Sequence, residues 1–274
     1  MTMSRRSFMT ATPLALTPLS TFAQATAARE PAAGPGLSGG SPYPTQEPDL
    51  VREVVGVSHN NLARLKALVD RQPTLARAAW DWGFGDWESA LGAASHVGNR
   101  DIAEYLLSKG ARPSIFSAAM LGQLDVIKAF VTAQPGIQRT KGPHGITLFA
   151  HATAGGERAR AVADYLTSLG DADLKPALKP LSAEERAPLV GAYTFGPDPD
   201  QRIEIAAVRD TVGFLRTGRS QRGLLHVGGL EFFPVGSESV RIRFDVTPGG
   251  VTLTIHDPDL VLTAKKATTV LLSW

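Results

Sequence analysis

SALGAASHVGNRDIAEYLLSKGA, residues 89–111, decides how the first half of the chain is read. Small residues at Ala90, Gly92, Ala93 and Ala94 are followed by a break at Gly98, then by Ile102, Tyr105 and Leu106 at helical spacing. Small side chains let one helix approach its neighbours closely, and an apolar stripe gives the second helix one face to bury. The pattern returns in IFSAAMLGQLDVIKAFV at 115–131 and in TLFAHATAGGERARAVADYLTSLGDAD at 147–173, anchored on Gly122 and Gly156. A fainter copy comes first, with Asn60 in the glycine place and KALV at 66–69 aligned with KAFV at 128–131. One such pair cannot bury its apolar face alone, whereas stacked neighbours can. The spacing predicts stacked helix-turn-helix units.

These copies resemble ankyrin repeats. Leu91, Ala94, Gly98, Asn99, Ile102, Leu106, Leu107, Gly110 and Ala111 fit that family's pattern in one copy, and Thr147, Phe149, Ala152 and Gly156 fit it in another. The departures are that no copy has the full Thr-Pro-Leu-His start, and that the anchor spacings are 38, 24 and 34 residues, against about 33 in the family. The short middle interval leaves little room for a β-hairpin finger. The resemblance implies an ankyrin-like helical array of about four repeats over residues 50–173. Such arrays present a surface to a protein or peptide partner and rarely catalyse.

WDWGFGDW at 80–87 lies where a finger loop would project. Trp80, Trp82, Phe84 and Trp87 are therefore candidate partner-binding residues, since aromatic rings anchor interfaces. The competing role is to cap the apolar end of the array. Gly83 and Gly85 make the segment a turn, so at least one ring is expected to be exposed, while Trp87, just before Ser89, is expected to pack at a helix start. His96, at the end of a first helix, and His144, in a loop beside Pro143, join the candidate partner-binding set.

The N-terminus reads MTMSRRSFMTATPLALTPLSTFAQATA. Arg5, Arg6 and Phe8 in SRRSFM resemble the twin-arginine export signal, and an apolar stretch with Ala-x-Ala sites follows. The resemblance implies a signal peptide over 1–27, recognition by the Tat translocase, and release into a bacterial periplasm with no membrane anchor after cleavage. With no cysteine there is neither a disulfide framework nor an acylation site. Removing the signal takes two arginines from 28 basic residues and leaves 26, against 26 acidic ones. No basic run remains to suggest a nucleic-acid partner.

Residues 28–49 are rich in Pro, Gly and Ser and read as a flexible linker. A second linker, 174–182, carries Pro176 and Pro180. Over 183–274 the apolar period becomes two. The expected strands are 190–195, 202–208, 212–216, 224–227, 231–234, 240–246, 251–256 and 260–264, which suggests a small antiparallel β-barrel or curled sheet. Leu189-Val190-Gly191-Ala192-Tyr193 and RFDVTPGGVTLTI at 243–255 resemble the small β-barrel domain appended to penicillin-binding-protein-like serine hydrolases. That family's catalytic machinery sits in another domain.

Motifs of catalysis are missing from the sequence after the signal: there is no Ser-x-x-Lys, no Gly-x-Ser-x-Gly and no P-loop. GPGLSG at 34–39 is linker composition. The six histidines form no His-x-x-x-His pair, so no metal site, catalytic residue or cofactor is expected. Asp198, Asp200, Asp257 and Asp259 flank prolines as turn residues. The expected whole is an exported, non-catalytic, protein-binding protein of two domains. Its alternatives are a sensor or carrier holding a small ligand in a cavity lined by Phe214, Phe232 and Phe244, and an accessory subunit of an envelope enzyme.

Export has a direct check. Changing Arg5 and Arg6 together to Lys is expected to leave the protein unprocessed in the cytoplasm, read by cell fractionation. Normal periplasmic arrival of the double variant would contradict the signal.

Overall fold

The N-terminal half opens on a helix because Pro48 sits where a missing N–H costs nothing. A computed structural model of the chain describes residues 45–216, 218–258 and 260–267; the expected signal at 1–27, most of the 28–49 linker and the tail 268–274 lie outside them. Helix α1 spans Pro48–Val57 and α2 Leu62–Val69. They are followed by α3 (Ala90–His96), α4 (Arg100–Ser108), α5 (Ile115–Met120), α6 (Leu124–Ala133), α7 (Leu148–Ala154) and α8 (Arg160–Ser168). Their starts follow side-chain caps. Asn61, Ser89, Asn99 and Thr147 each accept a backbone N–H from the residue three further on, and Ser114 with Ser117 forms a capping box. Each cap contributes about 1 kcal/mol. Helices of 6–10 residues are too short to persist alone, so packing holds them.

That packing corrects the expected ankyrin-like array. In a repeat array each unit meets only its neighbours. Here α7 packs on α5 and also reaches back to α3, two pairs earlier. The close approach is visible at Gly98, where a Cβ would lie 2.1 Å from the carbonyl oxygen of Ala154. The connections differ as well. A 3-10 turn (Pro73–Arg77) and a hairpin join α2 to α3, a bare turn joins α4 to α5, and two 3-10 turns (Ile137–Arg139, Pro143–Gly145) join α6 to α7. The buried side chains fall into two groups, one over α1–α4 with Met120 and one over α5–α8. The helices therefore do not form an ankyrin-like repeat array.

The hairpin consists of β1 (Ala79–Asp81) and β2 (Trp87–Ser89), paired antiparallel. A short α9 (Ala183–Arg186), started by a Ser182–Glu185 capping box, leads into the second half. There β3 (Gly191–Thr194), β4 (Arg202–Val208), β5 (Thr211–Leu215), β6 (Arg222–Gly228), β7 (Glu231–Pro234), β8 (Arg241–Thr247), β9 (Gly250–Asp257) and β10 (Leu260–Lys266) pair in order. Lys265 and Lys266 on β10 pair with Thr194 and Tyr193 on β3, closing an eight-stranded antiparallel barrel. Of the two β arrangements considered, the closed barrel is the one present. Closure removes the sheet edges that would otherwise seek partners. Alternation points Ile203 and Ile205 inward while Arg202 and Glu204 point out. Tyr193, Phe232 and Phe244 fill the interior, with ring centroids 5.6–5.9 Å apart.

Helices and barrel meet at the hairpin tip. The Phe84 ring packs edge-on against Phe214 at 5.1 Å, and Ser237 Oγ donates to the Phe84 carbonyl at 2.9 Å. Phe84 has φ +60°, a strained conformation for a bulky residue, maintained by these two contacts. Segment 174–182 also lies on the barrel: Lys179 N–H donates to the His226 carbonyl, His226 Nδ1 donates to Pro180 O, and Leu181 is buried in the barrel core.

Gly236 tests the junction. At φ +86° its missing side chain makes room for the Asp86 carboxylate, whose Cγ would sit 2.7 Å from an added Cβ. Gly236→Ala is expected to lower stability to urea by about 1–3 kcal/mol. Gly56→Ala, in a helix with nothing within 4 Å of the new Cβ, is expected to be neutral or slightly stabilising. Equal unfolding midpoints for the two variants would show that Asp86 moves aside freely.

Candidate metal centre

Four separate elements deliver side chains to one point beside the hairpin. His59 follows the end of α1, and His96 ends α3. Each follows a buried serine, Ser58 or Ser95, whose hydroxyl donates to the carbonyl four residues back and holds the helix end in place. Glu88 is the inward residue of β2, between outward Trp87 and Ser89. His144 sits in the 3-10 turn Pro143–Gly145 at φ +61°. Asp86 holds it there, accepting its backbone N–H on one carboxylate oxygen at 2.8 Å and its Nδ1–H on the other at 2.7 Å.

Nε2 atoms of the three histidines converge with Glu88. His59 Nε2 and His96 Nε2 are 3.1 Å apart. Glu88 Oε1 lies 2.9 Å from His96 Nε2 and 3.4 Å from His144 Nε2, and Oε2 lies 3.7 Å from His59 Nε2. One ligand atom from each of the four residues fits within a set spanning no more than 4.8 Å. Tetrahedral zinc with bonds of about 2.05 Å sets its ligand atoms about 3.3 Å apart, and the observed separations bracket that edge.

Proton placement favours the same role. His59 Nδ1 faces the Gly56 carbonyl at 2.9 Å, an acceptor only, so Nδ1 carries the hydrogen and neutral His59 presents a bare lone pair at Nε2. His144 Nδ1 donates to Asp86. Carbonyl and carboxylate partners of this kind orient metal-binding histidines and raise their basicity. Glu88 Oε1, fully buried, accepts no aligned hydrogen bond despite its close histidines, whereas Oε2 accepts the Trp82 indole N–H at 2.7 Å. A shallow depression lined by His59, Asn99 and Arg100 opens beside the cluster.

Electrostatics follow from burial and pairing. Burial alone would raise Glu88, but the nearby His144 and His96 rings and the Trp82 indole N–H outweigh it and hold the carboxyl at about 2. Burial also works against ionised Asp86, and His144 and Arg222 overcome it, keeping that group below its ordinary value. Arg222 donates to Asp86 and, at 2.9 Å, to the Val235 carbonyl. His144 is pushed up to about 9 by Asp86 and then Glu88. His151 is close by, 6.5 Å from His96 between ring centroids, but outside the convergent set. Its Nδ1 donates to Thr147 O, its Nε2 is buried without a partner, and burial pushes it down to about 4.

The residues singled out in the sequence are distributed unevenly over this site. His96 and His144 belong to the cluster, and Trp82 binds its carboxylate. Phe84 docks on the barrel, and Trp80 is half-buried in the helical core. Trp87, expected to pack at a helix start, is instead 64% exposed, because it points away from Glu88 on the strand. Reading the sequence missed His59, Glu88, Asp86 and Arg222. One signal was present: the dipeptide Ser-His closes the first helix of two successive pairs, at 58–59 and 95–96, and adjacent packing of those helices brings the two rings to 5.0 Å. No protein-family model matches the chain, and no curated protein matches it.

These groups give the metal-free protein a pH profile. His144, raised above 6.5, contributes stability that is complete below 6.5 and lost as pH rises through about 9. His151, lowered from 6.5, removes stability as pH falls from 6.5 towards 4, and Glu88 removes more as pH falls from 4.5 towards 2. Urea unfolding in EDTA is expected to show greatest stability near pH ~6.5, and His144→Gln is expected to flatten the alkaline fall. An unchanged alkaline limb in that variant would contradict the assignment.

Proposed function

We propose that the protein binds one divalent transition-metal ion of the zinc type through His59, His96 and His144 Nε2 and Glu88 Oε1. The observation that carries this reading is the convergence of three imidazole Nε2 atoms on a buried carboxylate oxygen, with His59 and His144 oriented by acceptors behind them. Imidazole with carboxylate is a ligand set suited to zinc. With all four tetrahedral positions supplied by the chain, no position is left open for a substrate. The site therefore serves to hold metal and to tie helices, hairpin and turn together, and the reading is non-catalytic. Delivery to the periplasm is part of the proposal, supported by the SRRSFM sequence. A protein partner remains a second reading, favoured by Trp87, the exposed ring among the four aromatic candidates at 80–87.

Calorimetric titration of EDTA-stripped protein with zinc is expected to give one site per chain and a raised melting temperature. His59→Ala and His144→Ala are each expected to weaken binding by roughly tenfold to a hundredfold or more, given that losing even an outer-shell partner costs that much. Absence of a saturable heat, or unchanged affinity in both variants, would overturn the assignment.

A further inference from the structure

The hairpin loop has a second face, turned away from the histidines. It roofs one end of the barrel over a cavity of about 420 Å³. This lies within the range of about 300–1,000 Å³ common for small-molecule sites. The cavity is not the one expected from the sequence. Phe232 and Phe244 are spent in filling the barrel interior, and only Phe214 of that trio lines the opening. The wall is built from Phe84 and Phe195 with Phe214, and from Leu262 on β10.

Two observations give the cavity a polarity. On one side Arg216 and Arg219 stand at the opening, and a neighbouring depression shared with both brings in Arg202. Arg216 stacks over the Phe195 ring at 5.4 Å and donates to the Asp200 carbonyl. Among the described residues none of these three guanidinium groups forms an ion pair. Arg222, by contrast, is neutralised by Asp86. Two carboxylates also line the cavity: Asp81 already accepts the Gly83 N–H at 2.8 Å, and Asp257 lies at the end of β9. Near it Leu260, the first residue of β10, lines the cavity and is 64% exposed. A large apolar side chain so exposed at the lip of an aromatic cavity fits an apolar ligand entering there.

We propose that this end of the barrel binds a small amphipathic anion, with its aliphatic or aromatic body between Phe84, Phe214 and Leu262 and its anionic head on Arg216 and Arg219. Arginine suits such a head because its planar donors match a carboxylate in pairs. The site is independent of the metal reading: it uses different side chains and stands if zinc does not bind.

The test is calorimetric titration of the full protein with decanoate and with 1-decanol, which share a chain and differ in the head. Decanoate is expected to bind one site per chain at least about tenfold more tightly than decanol, the effect of one charge-assisted hydrogen bond. Arg216→Gln with Arg219→Gln, both exposed positions, is expected to bring decanoate down to the affinity of decanol while circular dichroism stays unchanged. Leu262→Trp, which fills the cavity, is expected to abolish both. No binding of either ligand, equal affinity for the two, or undiminished decanoate binding by the double arginine variant overturns the proposal. So does pelleting with phosphatidylglycerol vesicles in the absence of decanoate binding, which would make the lip a membrane contact.

Discussion

Two ionised carboxylates are buried where the helices meet the barrel, and much of the structure follows from keeping them charged. An isolated buried carboxylate is costly enough to take up a proton, and a paired one needs hydrogen bonds on its remaining lone pairs. Asp86 gets them from Arg222 on β6 and from both the backbone and the ring of His144. Glu88 gets the Trp82 indole on one oxygen and faces histidines with the other. These demands explain otherwise unfavourable local features. His144 takes a left-handed conformation so that its N–H and ring can address one carboxylate, and residue 236 must be glycine so that this carboxylate can lie on the backbone.

The same arrangement divides the hairpin between two tasks. Along the strand Glu88 points into the histidine cluster, while the tip, 82–85, faces the barrel mouth. Trp82 and Arg222 belong to both sides, each touching a carboxylate of the cluster and lining the cavity. A metal ion on Glu88 and a ligand in the cavity would thus share Trp82 and Arg222 as neighbours and no ligand atoms.

Much of the fold was legible because it is written locally. Small residues, glycine breaks and apolar stripes marked the helix pairs, and the period-two segments from 190 onward coincide with the barrel strands. The higher-order arrangement of the helices was not legible. Helix pairs of similar pattern can stack in a line or close up, and the contact of α7 with α3 depends on connections whose lengths differ between pairs. The site was still less legible. His59, Glu88, His96 and His144 span 86 residues of sequence without a motif, and their convergence depends on which helix ends lie side by side. Trp87 was misjudged because an isolated aromatic cluster does not say which rings share a strand face with a buried glutamate. Only the repeated Ser-His dipeptide carried a local trace of the cluster.

The most direct test is anomalous diffraction at the zinc absorption edge from crystals of the protein grown with zinc. The account predicts one strong peak about 2.0–2.2 Å from His59, His96 and His144 Nε2 and from a Glu88 oxygen. A map with no peak there, with Glu88 bonded only to Trp82 and protonated histidine, would contradict it and make the cluster a buried ion-pair network.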